Sequence, residues 1–320
     1  MNSKIIIICG DPNSINSEII FKAWKEVNKL QKERITLIGN FQLLYDQAKK
    51  LKIKVPIKKI DNINEKNDKN FLNIIDYPLK YKKCFDVQKK HATKYVTGCL
   101  NLANKICTEK KMKGFINCPI DKKLIKKKGI HGVTEFIAKK SKIKRFSEVM
   151  MLYNKKLSVV PVTTHIKVIN ISKNIKKNNL IKKINTLNFY FKKIFKYWPK
   201  IAVLGLNPHN AEYEKNSEEV KQIIPAIKYL KMKANIFGPM AADSFFNSDY
   251  KKYDVIVGMY HDQVLIPFKN LFKFDAINIT LGLKYIRMSP DHGTARDIIG
   301  KNLADNQSLI KCINFLDRLK

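Results

Sequence analysis

The sequence contains 12 glycines, but no two of them are separated by a single residue. The glycine fingerprint of dinucleotide-binding folds and the phosphate-binding P-loop both depend on regularly spaced glycines that let the backbone approach a phosphate. Both motifs are therefore excluded. If this protein binds a dinucleotide, it does so through a different motif.

The six cysteines include no C-x-x-C pair. In a long chain without an export signal, they are expected to be reduced and buried rather than bound to zinc. The apolar run at residues 5–9 is too short for a signal peptide, and no run approaches the roughly 18 apolar residues that a membrane-spanning helix needs. We therefore expect a cytoplasmic protein that does not associate with a membrane.

Arginine is also scarce, since it provides only five of the 62 basic residues in a chain whose net charge is +35. A basic domain suggests nucleic-acid binding, but recognition of bases and phosphates favours the forked guanidinium group of arginine. The lysines are spread through the chain, so we expect no nucleic-acid partner. The positive field should instead attract anionic small substrates. A basic nucleic-acid-binding protein with a decayed catalytic site is kept as the least favoured alternative.

Apolar, β-branched runs alternate with helical patterns along the chain, which predicts an α/β fold with a mostly parallel sheet. A chain of 320 residues is long enough for two lobes or for one large domain. Pro225 is expected to break or kink the helix that contains it. Helices are predicted at residues 17–30, 41–50, 87–109, 167–196 (one or two helices), 218–230, 239–246, 295–300 and 307–319.

Three of the six histidines each follow a strand-like apolar run: His165 follows LSVVPV, His209 follows IAVLGL, and His261 follows YDVIVGM. Ligands of parallel sheets bind at the carboxyl ends of the strands, and neutral imidazole is the commonest metal ligand. We predict that the three histidines form one metal site or one catalytic cluster. Asp243 and Asp262 would bind the metal as well or orient its ligands.

Three further residues, all of which follow His261 in the sequence, are candidates for binding an anionic substrate. Lys269 would neutralise a carboxylate or phosphate, or relay a proton. Asn278 lies in the next strand, and Arg287 suits bidentate capture of a carboxylate or phosphate.

The stretch SPDHGTARDIIGK at residues 289–301 predicts a turn followed by a helix that begins near Ala295. His292 and the free N–H groups at the start of that helix would hold an anion or an adenine.

Nine short segments span nearly the whole chain in order. The segments are GDP at 10–12, PIDK at 119–122, TEF at 134–136, VTTH at 162–165, GLNPH at 205–209, GPMAAD at 238–243, YDVIVGMYHDQ at 253–263, NITLGL at 278–283 and IRMSPDHGTA at 286–295. No single segment is specific, but together they resemble the 4-hydroxythreonine-4-phosphate dehydrogenase family of pyridoxal phosphate biosynthesis.

This resemblance implies a reaction and its partners. The implied reaction is the NAD- or NADP-dependent oxidation of 4-phosphohydroxy-L-threonine at C3, followed by decarboxylation to 3-amino-2-oxopropyl phosphate. The implied enzyme uses one divalent metal, which is zinc, magnesium or cobalt, and is a homodimer whose metal site takes ligands from both chains.

The resemblance also implies roles for individual residues. The implied metal ligands are His165, His209 and His261. The implied substrate-binding residues are Thr134, Lys269, Asn278 and Arg287. The implied catalytic residues are Asp243, Asp262 and Lys269, and the implied cofactor-binding residues are His292, Gly293, Thr294, Ala295 and Asp297. Whether Asp262 or Lys269 accepts the proton is left open.

The implied architecture is two α/β/α lobes with the active site in the cleft between them, similar to isocitrate and isopropylmalate dehydrogenases. The first lobe is expected to comprise residues 1–125 and 297–320. The second lobe, residues 126–296, is expected to carry the metal ligands and the dimer contacts.

The chain departs from the family pattern at Val133, where the family usually has a histidine that contacts the substrate. His131 lies two residues earlier and is a candidate replacement. This departure supports an alternative function, in which the enzyme is a metal-dependent dehydrogenase of a related phosphorylated hydroxy acid, such as a four-carbon sugar acid phosphate.

Replacing Val133 by His should change the KM for the phosphorylated substrate, because an imidazole would be restored beside Thr134. The measurement is steady-state kinetics of the variant and the wild type. If every kinetic constant stays the same, position 133 does not line the substrate pocket.

Overall fold

The structure is a computed structural model that describes residues 4–110, 112–126, 130, 132–141, 147–247, 249–273 and 275–319. The strands are β1 (Ile5–Ile8), β2 (Ile35–Gly39), β3 (Ile57–Ile60), β4 (Leu72–Asp76), β5 (Gly114–Asn117), β6 (Val149–Asn154), β7 (Leu157–Thr163), β8 (Ile201–Leu204), β9 (Ile236–Met240), β10 (Val255–Tyr260), β11 (Ile277–Leu281) and β12 (Ile286–Pro290).

The α-helices lie between these strands and after the last of them. They are α1 (Asn16–Glu26), α2 (Lys29–Arg34), α3 (Phe41–Lys50), α4 (Lys89–Glu109), α5 (Val133–Lys140), α6 (Ile171–Asn174), α7 (Lys177–Phe195), α8 (Ile224–Lys231), α9 (Ala242–Phe245), α10 (His261–Phe272) and α11 (Gln307–Arg318). Within the described ranges, no helix is both long enough and apolar enough to cross a membrane.

The chain divides into two compact units, the first made of residues 1–141 and 284–320 and the second of residues 142–283. The lobe boundaries expected from the sequence differ from these, because residues 126–141 and 284–296 belong to the first unit. The three candidate histidine ligands all lie in the second unit.

In the first unit, six parallel strands pair in the order β3-β4-β2-β1-β5-β12. The strand β1 is a run of four buried isoleucines, and such β-branched residues favour strands that are covered on both faces. Helix α3 begins where the Asn40 side chain accepts a hydrogen bond from Leu43 N–H, which satisfies one of the free donors of the first turn.

In the second unit, the strand order is β11-β6-β7-β10-β8-β9. The strands β7, β10, β8 and β9 are parallel to one another, whereas β6 is antiparallel to both β11 and β7. One core cluster is formed by Met150, Leu152, Leu157, Val159, Ala202, Leu204, Phe245, Ile256, Val264, Leu265, Phe268 and Ala276. This core fixes the central strands whose ends carry the histidines.

The predicted α/β class with a mostly parallel sheet is confirmed. Pro225, which was predicted to break or kink its helix, lies in the first turn of α8, where a π-helical turn (Glu219–Ile223) passes directly into the α-helix. The stretch 167–196 forms α6 and α7, as the amphipathic pattern predicted. The helix predicted at residues 239–246 was partly wrong, because Pro239 belongs to β9 and only α9 is helical.

The close pairing of β5 and β12 predicts a sharp steric effect at Gly114. A Cβ atom at this position would lie 1.9 Å from the carbonyl oxygen of Ile286, so the two strands would have to separate. We expect Gly114→Ala to lower the free energy of unfolding by about 2 kcal/mol or more.

The measurement is urea unfolding followed by circular dichroism. Gly293→Ala is the control, because a Cβ atom at Gly293 would have nothing within 4 Å. Equal stability of the two variants would contradict the β5–β12 register.

Candidate active site

His165 and His261 lie close together in the second unit, with ring centroids 5.5 Å apart and ring planes tilted by 44°. The neighbouring parallel strands β7 and β10 bring them there, since His165 is two residues beyond β7 and His261 directly follows β10. Two imidazoles that share one tetrahedral metal have centroids about 5 Å apart, given a metal–nitrogen bond of about 2 Å. The pair therefore has a spacing that suits a shared ion.

Asp262 holds the ring of His261, because its Oδ1 atom lies 2.6 Å from Nδ1 of His261. The His261 side chain is 31% exposed and that of Asp262 is 68% exposed. A neutral His261 that donates its Nδ1–H to Asp262 keeps the lone pair of Nε2 available for a metal or a proton. Asp262 therefore stands where an orienting residue would.

His209 is exposed and begins a short left-handed turn. The residues His209 to Tyr213 all have positive φ, with values of 48°, 57°, 51°, 44° and 57°. Non-glycine residues adopt this conformation at a cost of about 1–2 kcal/mol each, so surrounding contacts must hold the turn. Across the described residues, no three His, Cys, Asp or Glu side chains form a group that could hold a metal. Of the three predicted histidine ligands, the structure thus places the rings of His165 and His261 next to each other.

The other predicted residues of the second unit lie on three different elements. Asp243 is exposed in the first turn of α9, and Lys269 is exposed on α10, about two helical turns beyond His261. Asn278 is half-buried in β11. Its Oδ1 atom is buried and, within the described parts of the chain, accepts no hydrogen bond, so this acceptor is available to a ligand.

Two predicted substrate-binding residues, Thr134 and Arg287, lie in the first unit. Arg287 is 4% exposed, and its Nε donates to Oδ1 of Asn117 at 2.5 Å. Burial lowers the pKa of Arg287 to about 10, and the negative charge of nearby Glu135 opposes that shift. Arg287 therefore keeps its charge at neutral pH, close to the start of α5, where Thr134 lies. His131 is outside the described residues.

The helix predicted at residues 295–300 was wrong, because only a single 3-10 turn forms at Arg296–Ile298. Ala295 has a φ of 43°, which is not helical. Beyond the turn, the chain packs against α1, where Ala304 N–H donates to Oε1 of Glu18 at 2.7 Å. These tertiary bonds outweigh the local helical preference. The helix start, whose free N–H groups were predicted to hold an anion, is therefore replaced by this short turn.

Arg296 instead ties the predicted cofactor loop, residues 291–297, to the carboxyl ends of β1 and β5. Its Nη2 donates to Oδ2 of Asp121 at 2.8 Å and lies 3.7 Å from Oδ2 of Asp11. Ile15 N–H also donates to the carbonyl oxygen of Thr294 at 3.3 Å. Sequence reasoning did not assign a role to Arg296, Asp11 or Asp121, although the segments GDP and PIDK pointed to the two aspartates.

Asp11 is 2% exposed. Burial raises the pKa of its carboxyl group above the ordinary value, while backbone hydrogen bonds from Asn13 and Asp121 and the charge of Arg296 act in the opposite direction. Asp11 is thus buried near Arg296, and the positive charge of Arg296 partly compensates the negative charge of the Asp11 carboxylate.

A family model described as pyridoxal phosphate biosynthetic protein PdxA matches residues 31–316. The 4-hydroxythreonine-4-phosphate dehydrogenase of Sulfurihydrogenibium sp. (strain YO3AOP1) is 40% identical over 99% of this chain and 98% of the relative. The D-threonate 4-phosphate dehydrogenase of Pectobacterium atrosepticum is 31% identical, with 97% of each chain covered. The solved structure of 4-hydroxythreonine-4-phosphate dehydrogenase from Klebsiella pneumoniae has a TM-score of 0.84 at 29% identity, covering 99% of this chain and 97% of that chain.

The fold and the histidine pair define an α/β enzyme with candidate catalytic groups at the carboxyl ends of parallel strands. Because the family model covers most of the chain and the relatives align over nearly their full length, the chain belongs to the family of pyridoxal phosphate biosynthetic protein PdxA. The family predicted from the nine segments is confirmed, and the predicted dehydrogenase class is confirmed with it.

The position of Arg296 predicts a pH-dependent effect on stability. The pKa of Asp11 is raised in the folded state. Ionisation of Asp11 therefore lowers the free energy of unfolding as the pH rises above about 3.9, which is the pKa of an aspartate in the unfolded chain. Arg296 offsets part of that cost. Because the Arg296 side chain is 54% exposed, solvent screens it, and Arg296→Gln should cost only about 1 kcal/mol at pH 7.

The cost should be smaller at pH 3, where Asp11 is protonated in both states. Urea unfolding at the two pH values measures the difference. Arg318→Gln is the control, because Arg318 is exposed and has no carboxylate partner in the described ranges. A loss of stability that is equal at both pH values would contradict this role of Arg296.

Proposed function

We propose that this protein oxidises 4-phosphohydroxy-L-threonine at its C3 hydroxyl with NAD or NADP, and that the resulting β-keto acid loses carbon dioxide to give 3-amino-2-oxopropyl phosphate. The observation that carries the proposal is the His165–His261 pair at the carboxyl ends of neighbouring parallel strands. It occurs in a chain that is 40% identical to a relative named for this activity.

The donor set suits a divalent metal, since two imidazoles lie at the required spacing and the carboxylate of Asp262 anchors one of them. His165, His209 and His261 would hold the ion, and imidazole donors favour zinc or cobalt over magnesium. When bound, the metal would acidify the substrate hydroxyl and stabilise negative charge on its oxygen. An exposed His209 is accessible to a second copy of the chain, which supports a homodimer whose metal site draws on both chains.

The other residues of the site would bind and orient the substrate. Asp262 lies 2.6 Å from the ring of His261, and either its carboxylate or a neutral amine of Lys269 would accept the hydroxyl proton. Buried, charged Arg287 suits an anionic group of the substrate, and the unfilled acceptor of Asn278 suits one of its N–H or O–H groups. Asp243 would bind the metal as a further ligand or carry a proton.

NAD or NADP would be bound by the loop that contains His292, Gly293, Thr294, Ala295 and Asp297. The hydrogen bond of Arg296 to Asp121 supports this proposal, because it holds the loop at the strand ends of the first unit. The cofactor would accept the hydride.

A second candidate function is the oxidation of D-threonate 4-phosphate or a similar four-carbon sugar acid phosphate. Two observations favour it: Val133 replaces the usual family histidine, and the relative from Pectobacterium atrosepticum bears that name. Both substrates are four-carbon acids that carry a phosphate on C4 and a hydroxyl on C3. The same metal and cofactor would therefore serve for either substrate.

The test is NADH or NADPH formation, followed at 340 nm, with each substrate in the presence of Zn²⁺, Co²⁺, Mg²⁺ or a chelator. Metal-dependent turnover of 4-phosphohydroxy-L-threonine supports the first function. Turnover of D-threonate 4-phosphate alone supports the second, and activity that survives full chelation would contradict the metal.

His209→Ala should lower kcat for metal-dependent turnover by more than about 100-fold, because loss of even an outer-shell partner of a metal reaches that size. Circular dichroism should show an unchanged fold. The control is His91→Ala, which removes a half-buried histidine of α4. Normal activity of the His209 variant would eliminate His209 as a ligand.

A further inference from the structure

The ladder between β10 and β8 ends just before the start of α10, which carries His261, and the turn that carries His209. Their parallel pairing includes Val257 opposite Val203. Continued by two residues, this register would place Met259 opposite Gly205, but the direct ladder does not extend that far.

The side chain of Gln263 fills the gap between the separated strands. Its Oε1 accepts a hydrogen bond from Met259 N–H at 2.7 Å, and its Nε2 donates to the carbonyl oxygen of Gly205 at 2.7 Å. One amide group therefore satisfies a donor of one strand and an acceptor of the other, as a backbone peptide unit would in a regular ladder. Gln263 lies in the first turn of α10, two residues after His261.

Two residues without side chains lie against this bridge and against the neighbouring turn. A Cβ atom at Gly258 would lie 2.9 Å from Oε1 of Gln263, and one at Gly205 would lie 2.1 Å from Oδ1 of Asn210. Asn210 is buried and belongs to the left-handed turn that begins at His209. The bridge and the turn are thus packed against the same stretch of backbone.

A second side chain, that of Glu219, fixes the other polar groups of that stretch. Glu219 is fully buried, and its Oε1 accepts hydrogen bonds from the N–H groups of Leu206 and Asn207 at 2.7 and 2.8 Å. Its Oε2 accepts from Nδ2 of Asn207 at 2.9 Å. Together with the Gly205 carbonyl held by Gln263, three successive residues before His209 are anchored.

The strand that precedes His165 is held to β10 separately from this bridge. Oγ1 of Thr163 donates to the carbonyl oxygen of Met259 at 2.8 Å, and the β7–β10 ladder pairs Tyr260 with Thr163. Displacement of Gln263 would therefore move the turn that begins at His209 relative to His261, while the ladder keeps His165 next to His261.

We infer that Gln263 is a positioning residue of the histidine site: its amide sets the distance between the start of α10, which carries His261, and the turn that carries His209. This inference rests on the proposed metal site. It concerns metal affinity and geometry, because Gln263 itself bonds to backbone atoms on both sides.

The most informative substitution is Gln263→Glu, which keeps the size of the side chain and the acceptor for Met259 N–H. It replaces the donor that faces Gly205 by an oxygen, so two oxygen atoms would meet at the present 2.7 Å and the loops must separate. The control is Asn270→Asp, which makes the same amide-to-carboxylate change at an exposed position of α10. Gln263→Met removes both hydrogen bonds without adding a charge.

The experiment is calorimetric titration of each protein with Co²⁺, together with the visible absorption spectrum of the bound Co²⁺ and the thermal unfolding midpoint. We expect Gln263→Glu and Gln263→Met to weaken Co²⁺ binding by about 10- to 100-fold, as loss of outer-shell support does elsewhere, and to change the spectrum. Asn270→Asp should bind Co²⁺ as the wild type does.

A folded Gln263→Glu or Gln263→Met variant with wild-type affinity and spectrum would overturn the inference and leave the proposed metal site in place. A lower unfolding midpoint with an unchanged Co²⁺ spectrum would also overturn it, because Gln263 would then have only a structural role. Failure of the wild type itself to bind Co²⁺ would overturn the metal site and the inference together.

Discussion

The strand β10 is paired on both sides by parallel strands, with β7 on one side and β8 on the other. This pairing brings the carboxyl ends of all three strands to one edge of the sheet, where a ligand can reach the residues that follow them. The buried apolar core beneath these strands keeps the register fixed. The chemistry proposed for this protein depends on that arrangement, because each candidate histidine is placed by the strand before it.

Polar side chains that are buried or half-buried complete the arrangement in both units. In the second unit, Gln263 and Glu219 hold backbone groups that the separating strands leave open. In the first unit, Arg287 is buried against Asn117, and Asp11 is buried near Arg296. Such groups are costly to bury without partners, so their positions indicate loops that are held in place for binding.

Much of the fold was predictable from the sequence, because β-branched runs and polar strand ends are local signals. The order of the strands was not, since the sequence does not show that β10 lies between β7 and β8. The sequence therefore placed His261 after a strand, but it did not show whether His165 or His209 lies beside the ring of His261. The left-handed turn at residues 209–213 was also unpredictable, because its sequence contains no glycine and the conformation is held by tertiary contacts. The bridge made by Gln263 was missed for the same reason, since it depends on a gap between two strands that are distant in sequence.

The most direct test of the account is anomalous X-ray diffraction at the cobalt absorption edge, from crystals of the wild-type protein grown with Co²⁺. The account predicts one strong anomalous peak within bonding distance, about 2 Å, of imidazole nitrogens of His165 and His261. A peak bound only to other residues, or no peak near these two rings, would contradict a metal centre at the ends of β7 and β10.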